Sequence, residues 1–284
     1  MPASTGEALQ AARARLAATS RDPGRDAEML LTHVSGWDKA ALLTHPERLL
    51  SAQQSSLFES LVTRRMAREP MQYITGAQEF FGLLFEVSPD VLIPRPETEH
   101  VVEATLEHFG REAKVRLVDV GTGSGAIAVV IAHALPQSQV TAVDLSPAAL
   151  EVARRNAERH GVLQRMTFVQ SNLLAGIDRA DFDLVVSNPP YVADGDVLEP
   201  QVFNYEPHSA LYAGPTGLEV YERLIPQACK VLKPDGWLIL EIGFGQQQAV
   251  QALLDGWHAM SFVNDLQGIP RVVCAQPPLL EIPS

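Results

Sequence analysis

The chain has 284 residues, 46% of them hydrophobic, and 34 acidic against 22 basic side chains give a formal net charge of −12. That is enough material for one large packed domain and a small one, and no apolar run reaches the roughly 20 uncharged residues of a membrane helix. A protein that tracks phosphates shows a basic face or run; none is visible here, which argues against a direct nucleic-acid partner.

Taken in chain order, residues 5–68 read as helices. Leu9, Ala12 and Leu16 recur on one face, a periodic stretch follows from Asp26 to Val34, and Leu57, Leu61 and Met66 mark another. Pro23-Gly24 and Thr44-His45-Pro46 interrupt the pattern, so residues 1–72 are expected to form a small helical bundle without a catalytic signature. Residues 73–93 change to strand-like character, Glu79-Phe80-Phe81 and 84–87 around Gly82, closed by Pro89-Asp90, which reads as a linking β-hairpin. From 94 to 284 strands and helices alternate: strands over 115–120, 139–143, 166–170, 182–187, 237–241, 259–263 and 271–274, with helices from 126 and over 147–160, 217–232 and 246–254. Such alternation predicts an α/β domain built on a doubly wound, mostly parallel, Rossmann-like sheet. The opening MPASTGEALQ lacks the basic end and apolar stretch of a secretory signal, so a cytoplasmic protein with no membrane partner is expected.

The first strand of that domain runs into Gly121-Thr122-Gly123-Ser124-Gly125 and then into a helix. Glycines let the backbone turn tightly against a ligand, and the helix N-terminus offers free N–H groups. Asp144 ends the next strand, where a carboxylate can accept from both hydroxyls of a ribose. These features admit both NAD and S-adenosylmethionine; the spacing GxGxG, in place of the dinucleotide pattern GxGxxG, leans to the second. Asn172, after the third strand, can accept from an adenine amino group while Leu173 packs on the ring, although a solvent-facing turn accounts for the same residues.

The fourth strand ends in Asn188-Pro189-Pro190-Tyr191, at the edge of the ligand crevice. Two consecutive prolines remove two N–H donors and leave carbonyls as acceptors. An amide or aromatic –NH2 has two donors, which the Asn188 side-chain oxygen and the Pro189 carbonyl can each receive, with the Tyr191 ring stacked on the flat group bearing it. Orientation is the main help a protein can give such a delocalised nitrogen. No His, Ser or Cys constellation is needed, and none of the eight histidines has triad or metal spacing. Cys229, in an expected helix, and Cys274, in an expected strand, have no CxxC partner and read as buried reduced thiols; no metal is expected.

Together these residues resemble a known family. Tyr73-Ile74-Thr75-Gly76, Glu79-Phe80-Phe81-Gly82, Leu92-Ile93-Pro94-Arg95-Pro96-Glu97-Thr98-Glu99, the glycine loop, Ser187 to Tyr191 and Tyr205-Glu206-Pro207 are similar, in order, to the release factor glutamine methyltransferases, PrmC or HemK. The resemblance implies a class I methyltransferase fold and N5-methylation of the glutamine in the Gly-Gly-Gln tripeptide of class I peptide chain release factors. It implies S-adenosyl-L-methionine as cofactor and S-adenosyl-L-homocysteine as product. By the same resemblance Gly121, Thr122, Gly123, Ser124, Gly125 and Asp144 hold the cofactor, with Asn172, Leu173 and Asn188 at its rim. Asn188, Pro189, Pro190 and Tyr191 hold the substrate glutamine, and 94–99 lies near the cofactor. Two details differ in weight: the family usually has an acidic residue where Asn172 stands, and a related family acting on a ribosomal protein reads Pro-Arg-Ser-Pro where this chain has Pro-Arg-Pro-Glu. The alternatives are an N-methyltransferase of ribosomal-protein glutamine or of a nucleic-acid base, and a non-catalytic cofactor-binding docking protein.

Overall fold

A computed structural model describes residues 4–178 and 181–279. Helix α1 (Thr5–Leu16) starts where Ser4 Oγ accepts from the Glu7 N–H and the Glu7 carboxylate receives the Ser4 N–H, a reciprocal capping box. Helix α2 (Pro23–Ser35) has proline in its first turn behind the capping Asp22 and ends at Gly36 in the left-handed region. Helices α3 (Lys39–Thr44), α4 (Ala52–Met66), with a second capping box at Ser51 and Gln54, and α5 (Met71–Thr75) follow. Their apolar stripes meet in a core of Leu16, Leu30, Leu31, Leu42, Phe58 and Val62.

Strands β1 (Ala77–Phe80) and β2 (Leu83–Glu86) form a hairpin. Both turn residues, Phe81 and Gly82, have positive φ, as a two-residue hairpin turn matched to strand twist requires. The non-glycine member is held there by its N–H, which donates to Glu99 Oε1 at 2.8 Å. Beyond lie α6 (Glu99–His108), β3 (Arg116–Val120), α7 (Ala126–Ala134), β4 (Gln139–Asp144), α8 (Pro147–Arg159), β5 (Met166–Gln170) and β6 (Phe182–Ser187). The chain continues through β7 (Val192–Ala193), α9 (Pro200–Tyr205), β8 (Tyr212–Gly214), α10 (Glu219–Val231), β9 (Leu232–Glu241), α11 (Gln247–Leu253), β10 (His258–Asn264) and β11 (Pro270–Gln276).

Seven strands form one sheet in the order β10-β11-β9-β6-β3-β4-β5. The five strands β9, β6, β3, β4 and β5 run parallel, and β11 and β10 add an antiparallel edge. Strand alternation sorts the core: Leu117, Leu184, Val186 and Ile239 face Val101 of α6 and Ile127 and Val130 of α7. Val118, Val120, Val185, Leu238 and Leu240 face Tyr221, Leu224 and Ile225 of α10. Burial on both faces is why these strands read as continuous apolar runs.

Packing divides the chain into two units, Met1–Ala77 with Leu198–Tyr205, and Gln78–Val197 with Glu206–Ser284. Within the first, Tyr205 Oη donates to the Ala67 carbonyl at 2.8 Å, so the α9 segment joins the helices although it lies far along the sequence. One expectation is corrected: Cys274 is buried, which pushes its thiol up to about 12, but Cys229 is exposed. It falls one position beyond the buried Ala228, on the outer face of amphipathic α10. Among the described residues no helix is long and apolar enough to cross a membrane.

Candidate active site

Strand β3 pairs with β4 on one side and β6 on the other, so chain order reverses at β3 and a crevice opens beyond the carboxyl ends of these strands. The loop leaving β3 has Gly121, Gly123 and Gly125 at φ of +71°, +54° and +80°. Each lies in the region that L side chains avoid, which explains glycine at alternate positions. A Cβ on Gly125 would lie 3.0 Å from Ala153 Cβ, whereas one on Gly121 would meet nothing within 4 Å, so the loop packs tightly beneath and is open above. From beneath it is pinned by Val143, whose carbonyl accepts from the N–H groups of Gly121 and Thr122 at 2.8 and 2.9 Å. Asn156 Nδ2 donates to the Ser124 and Glu86 carbonyls, each at 2.9 Å, and so ties loop and hairpin to α8.

Asp144 closes β4. Its Oδ2 accepts from the Gly123 N–H and its Oδ1 from the Ser146 N–H, each at 2.9 Å, leaving each oxygen a second lone pair. Burial raises its pKa, and the N–H groups of Ser146 and Gly123 oppose that rise. Asn172 is exposed, and the oxygen read from sequence as an adenine acceptor receives Arg223 Nη1 at 3.4 Å. Leu173 is half-buried, at φ +54°.

Strands β6 and β9 lie side by side with Ser187 opposite Leu240, so Asn188 leaves the sheet level with Glu241. Ser187 Oγ donates to the Val120 carbonyl at 2.6 Å and locks the end of β6 to β3. Asn188 Nδ2 donates to Thr98 Oγ1 at 2.9 Å. Its Oδ1 makes no hydrogen bond among the described residues. A cavity of about 60 Å³, room for a carboxamide-sized group, is lined by Asn188, Pro189, Pro190 and Tyr191 together with Leu92 and Arg95. Arg95 is held by an ion pair with the buried Glu206, whose other oxygen accepts from the Ile93 N–H at 3.2 Å. Two of the segments that carried the family resemblance thus meet at this cavity. Tyr191 Oη donates to Glu241 Oε1 at 3.2 Å; burial first, and then the Glu241 charge, raise its pKa. Gln246 Nε2 donates to the Tyr191 carbonyl at 3.0 Å. The helical unit holds a larger cavity of about 470 Å³, lined by Arg21, Arg25, Arg65 and Arg68 among others. The same lining carries Asp22, Asp26 and Glu199, so the arginines are nearly balanced there. Two of its arginines are paired, Arg21 with Glu199 and Arg65 with Asp26.

Sequence reasoning passed over Asp119, Asn156 and Glu241, and named Thr98 only within a segment near the cofactor. Asp119 had a signal, an acid inside the apolar run Val118-Asp119-Val120 two residues before the first glycine. It is fully buried, its Oδ2 accepts from Thr122 Oγ1 at 2.7 Å, and its Oδ1 has no hydrogen bond of ordinary geometry among the described residues. Burial pushes its pKa up to about 7 against the Thr122 and Ala128 hydrogen bonds, with Asp144 adding to the rise. The native state therefore holds this proton over an interval where the unfolded chain has lost it, so the associated stability is complete below about 4 and is lost as pH rises toward 7. Asp119→Asn should flatten that part of the curve. Urea midpoints measured from pH 4.5 to 8 are expected to fall more steeply for the parent chain than for the variant; parallel curves would show that Asp119 ionises freely.

The sheet order with its antiparallel edge, the glycine loop and the acceptor-rich loop at the switch point define a class I methyltransferase fold. Solved structures agree in fold: the hMettl16 catalytic domain in complex with an RNA hairpin (TM-score 0.55, 17% identity, covering 81% of this chain and 84% of that one) and a T. thermophilus 16S rRNA methyltransferase in complex with AdoMet and guanosine (TM-score 0.54, 19% identity, 71% and 49%). Family models described as PrmC N-terminal domain and methyltransferase small domain match residues 7–76 and 99–204. A release factor glutamine methyltransferase of Koribacter versatilis is 45% identical over 92% of this chain and 94% of its own length. One of Nitratidesulfovibrio vulgaris is 40% identical over 99% of both. The chain belongs to the release factor glutamine methyltransferase family.

Proposed function

We propose that the chain transfers a methyl group from S-adenosyl-L-methionine to N5 of the glutamine in the Gly-Gly-Gln tripeptide of class I peptide chain release factors, releasing S-adenosyl-L-homocysteine. The observation that carries the reading is the Asn188 side chain, whose Nδ2 is engaged by Thr98 and which lines a carboxamide-sized cavity with its Oδ1 unbonded among the described residues.

The residues present fit the cofactor. The loop 121–125 is open on the side where a Cβ of Gly121 would meet nothing, and Asp144 keeps a lone pair on each oxygen for the two ribose hydroxyls. S-adenosyl-L-methionine held there by the loop 121–125 and Asp144 would supply a methyl electrophile on its sulfonium, with neutral sulfur as the leaving group. Asn188 Oδ1 and the Pro189 carbonyl receive the two N–H donors of the acceptor amide and present the face of its nitrogen. The proline pair keeps that carbonyl outward, and Tyr191 flanks the planar group. The site needs no base of its own, because the methylated nitrogen is acidic and loses its proton to water. Holding the reactants in line supplies up to about 7–11 kcal/mol of a barrier, which suits a site made of acceptors. The helical unit is read as the part that recognises the protein substrate, since a tripeptide offers too little surface for selectivity.

Transfer of labelled methyl to purified release factor, beside a variant with the Gly-Gly-Gln glutamine replaced, tests the substrate. Label on the unaltered factor alone is expected. Label on ribosomal protein or nucleic acid instead would move the chain to the neighbouring chemistry, and binding without transfer would make it a docking protein.

A further inference from the structure

Behind the acceptor cavity lies a carboxyl that the reading above does not use. Glu241 is the last residue of β9, 2% exposed, with Oε1 accepting from Tyr191 Oη and Oε2 buried without a bond of ordinary geometry. Thr98, also buried, has a hydroxyl proton for which the described residues offer no acceptor of ordinary hydrogen-bond geometry, and the influence of that hydroxyl on Glu241 favours the anion. Thr98 is also the partner of Asn188 Nδ2. Three segments remote in sequence, at 98, at 188–191 and at 241, are thereby linked by two hydrogen bonds beside one buried acid.

An asparagine amide can present either end to a hydroxyl, because a hydroxyl both donates and accepts. A threonine that donates its single proton to a carboxylate can only accept from its other neighbour. It must then face Nδ2, and Oδ1 is left toward the crevice. Resting on the reading that Asn188 receives the substrate amide, we propose that Glu241 is a positioning residue. Its carboxylate fixes the proton of Thr98, and Thr98 thereby fixes which end of Asn188 meets the substrate, while the same carboxylate anchors Tyr191. A neutral Glu241 removes the directional bias, since its own proton can be donated to Thr98 and the amide can turn its Nδ2 outward, where it repels the N–H donors of the acceptor.

The ionisable groups facing Glu241 come from four elements. They are Tyr191 after β6, Tyr221 of α10, Glu97 ahead of α6 and Arg271 of β11, the last also paired with Asp265 at 2.9 Å. Burial is the largest influence and Glu97 adds to it, while Thr98, Tyr191 and Arg271 oppose it, leaving the carboxyl pushed up to about 7. Transfer should therefore weaken on the acid side as Glu241 takes up its proton.

The experiment follows kcat for methyl transfer to release factor from pH 6 to 9, with cofactor Kd, for the parent chain and for Glu241→Gln, Thr98→Val and Thr98→Ser. Glu241→Gln and Thr98→Val are expected to lower kcat about tenfold or more, the equivalent of one lost orienting bond, with cofactor Kd within about twofold. The acid limb of the parent profile should vanish in Glu241→Gln, and Thr98→Ser, which restores the hydroxyl, should recover most of the rate. A merely structural role would not move the pH profile. An acid limb unchanged in Glu241→Gln, or Thr98→Ser no faster than Thr98→Val, overturns the proposal; the threonine pair decides alone if the glutamine variant does not fold. Asn188→Ala run alongside separates the two readings. Unimpaired transfer there overturns the acceptor site itself, and slow transfer there with a normal Glu241→Gln overturns only the positioning role.

Discussion

Asn188→Ala is expected to lower kcat about 10²–10³-fold, the range seen when one preorganised hydrogen-bonding group is removed from a reacting centre, with cofactor affinity held within about threefold. The substitution deletes the Asn188 acceptor from the cavity lining and leaves the Pro189 carbonyl to hold a group with two donors. A single hydrogen bond lets a planar amide swing, and the nitrogen then meets the electrophile out of line. Because the loop 121–125 and Asp144 are untouched, binding of the donor should not follow the rate. Single-turnover transfer with a cofactor titration checks both halves. A parallel loss of affinity would assign Asn188 to the cofactor rather than to the acceptor.

Asp144→Ala should do the opposite, raising cofactor Kd about 10²-fold or more while kcat at saturating cofactor stays within a few-fold. Hydrogen bonds to a charged group contribute about 1.5–3 kcal/mol each, and two ribose hydroxyls are assigned to this carboxylate. The structure adds a second component. Asp144 also accepts from the N–H groups of Gly123 and Ser146, so the alanine variant loosens the glycine loop as well as losing the ligand's partner. Asp144→Asn, which retains one acceptor, should fall between the two in a calorimetric titration. Full affinity in the alanine variant would remove the ribose assignment.

The large elements were legible because their signals are local. Apolar runs with turn residues between them marked β3, β4, β5, β6 and β9 to within about a residue at most ends, and the proline that opens α8 marked its start. The strands β7 and β8 were not legible. Two or three residues carry no periodicity, and their pairing depends on where the intervening chain returns. Nor did the sequence announce that Leu198–Tyr205 packs with the helices, since a six-residue helix carries too few apolar positions to declare a partner. Cys229 misled for a related reason: a cysteine's burial depends on which face of its helix it occupies, one position making the difference.

The sequence by itself determined the order of the long strands and helices, the glycine loop and the acceptor character of Asn188 to Tyr191, because periodicity, positive φ and missing N–H groups belong to short stretches of chain. Only the tertiary structure decided what surrounds those groups. That Asn188 is met by Thr98, 90 residues away, and that Tyr191 reaches the buried Glu241, depends on the parallel register of β6 and β9 and on the seating of α6 against the sheet. Side-chain partners are set by packing across elements, and a buried acid such as Asp119 or Glu241 acquires its chemistry from the water it has lost.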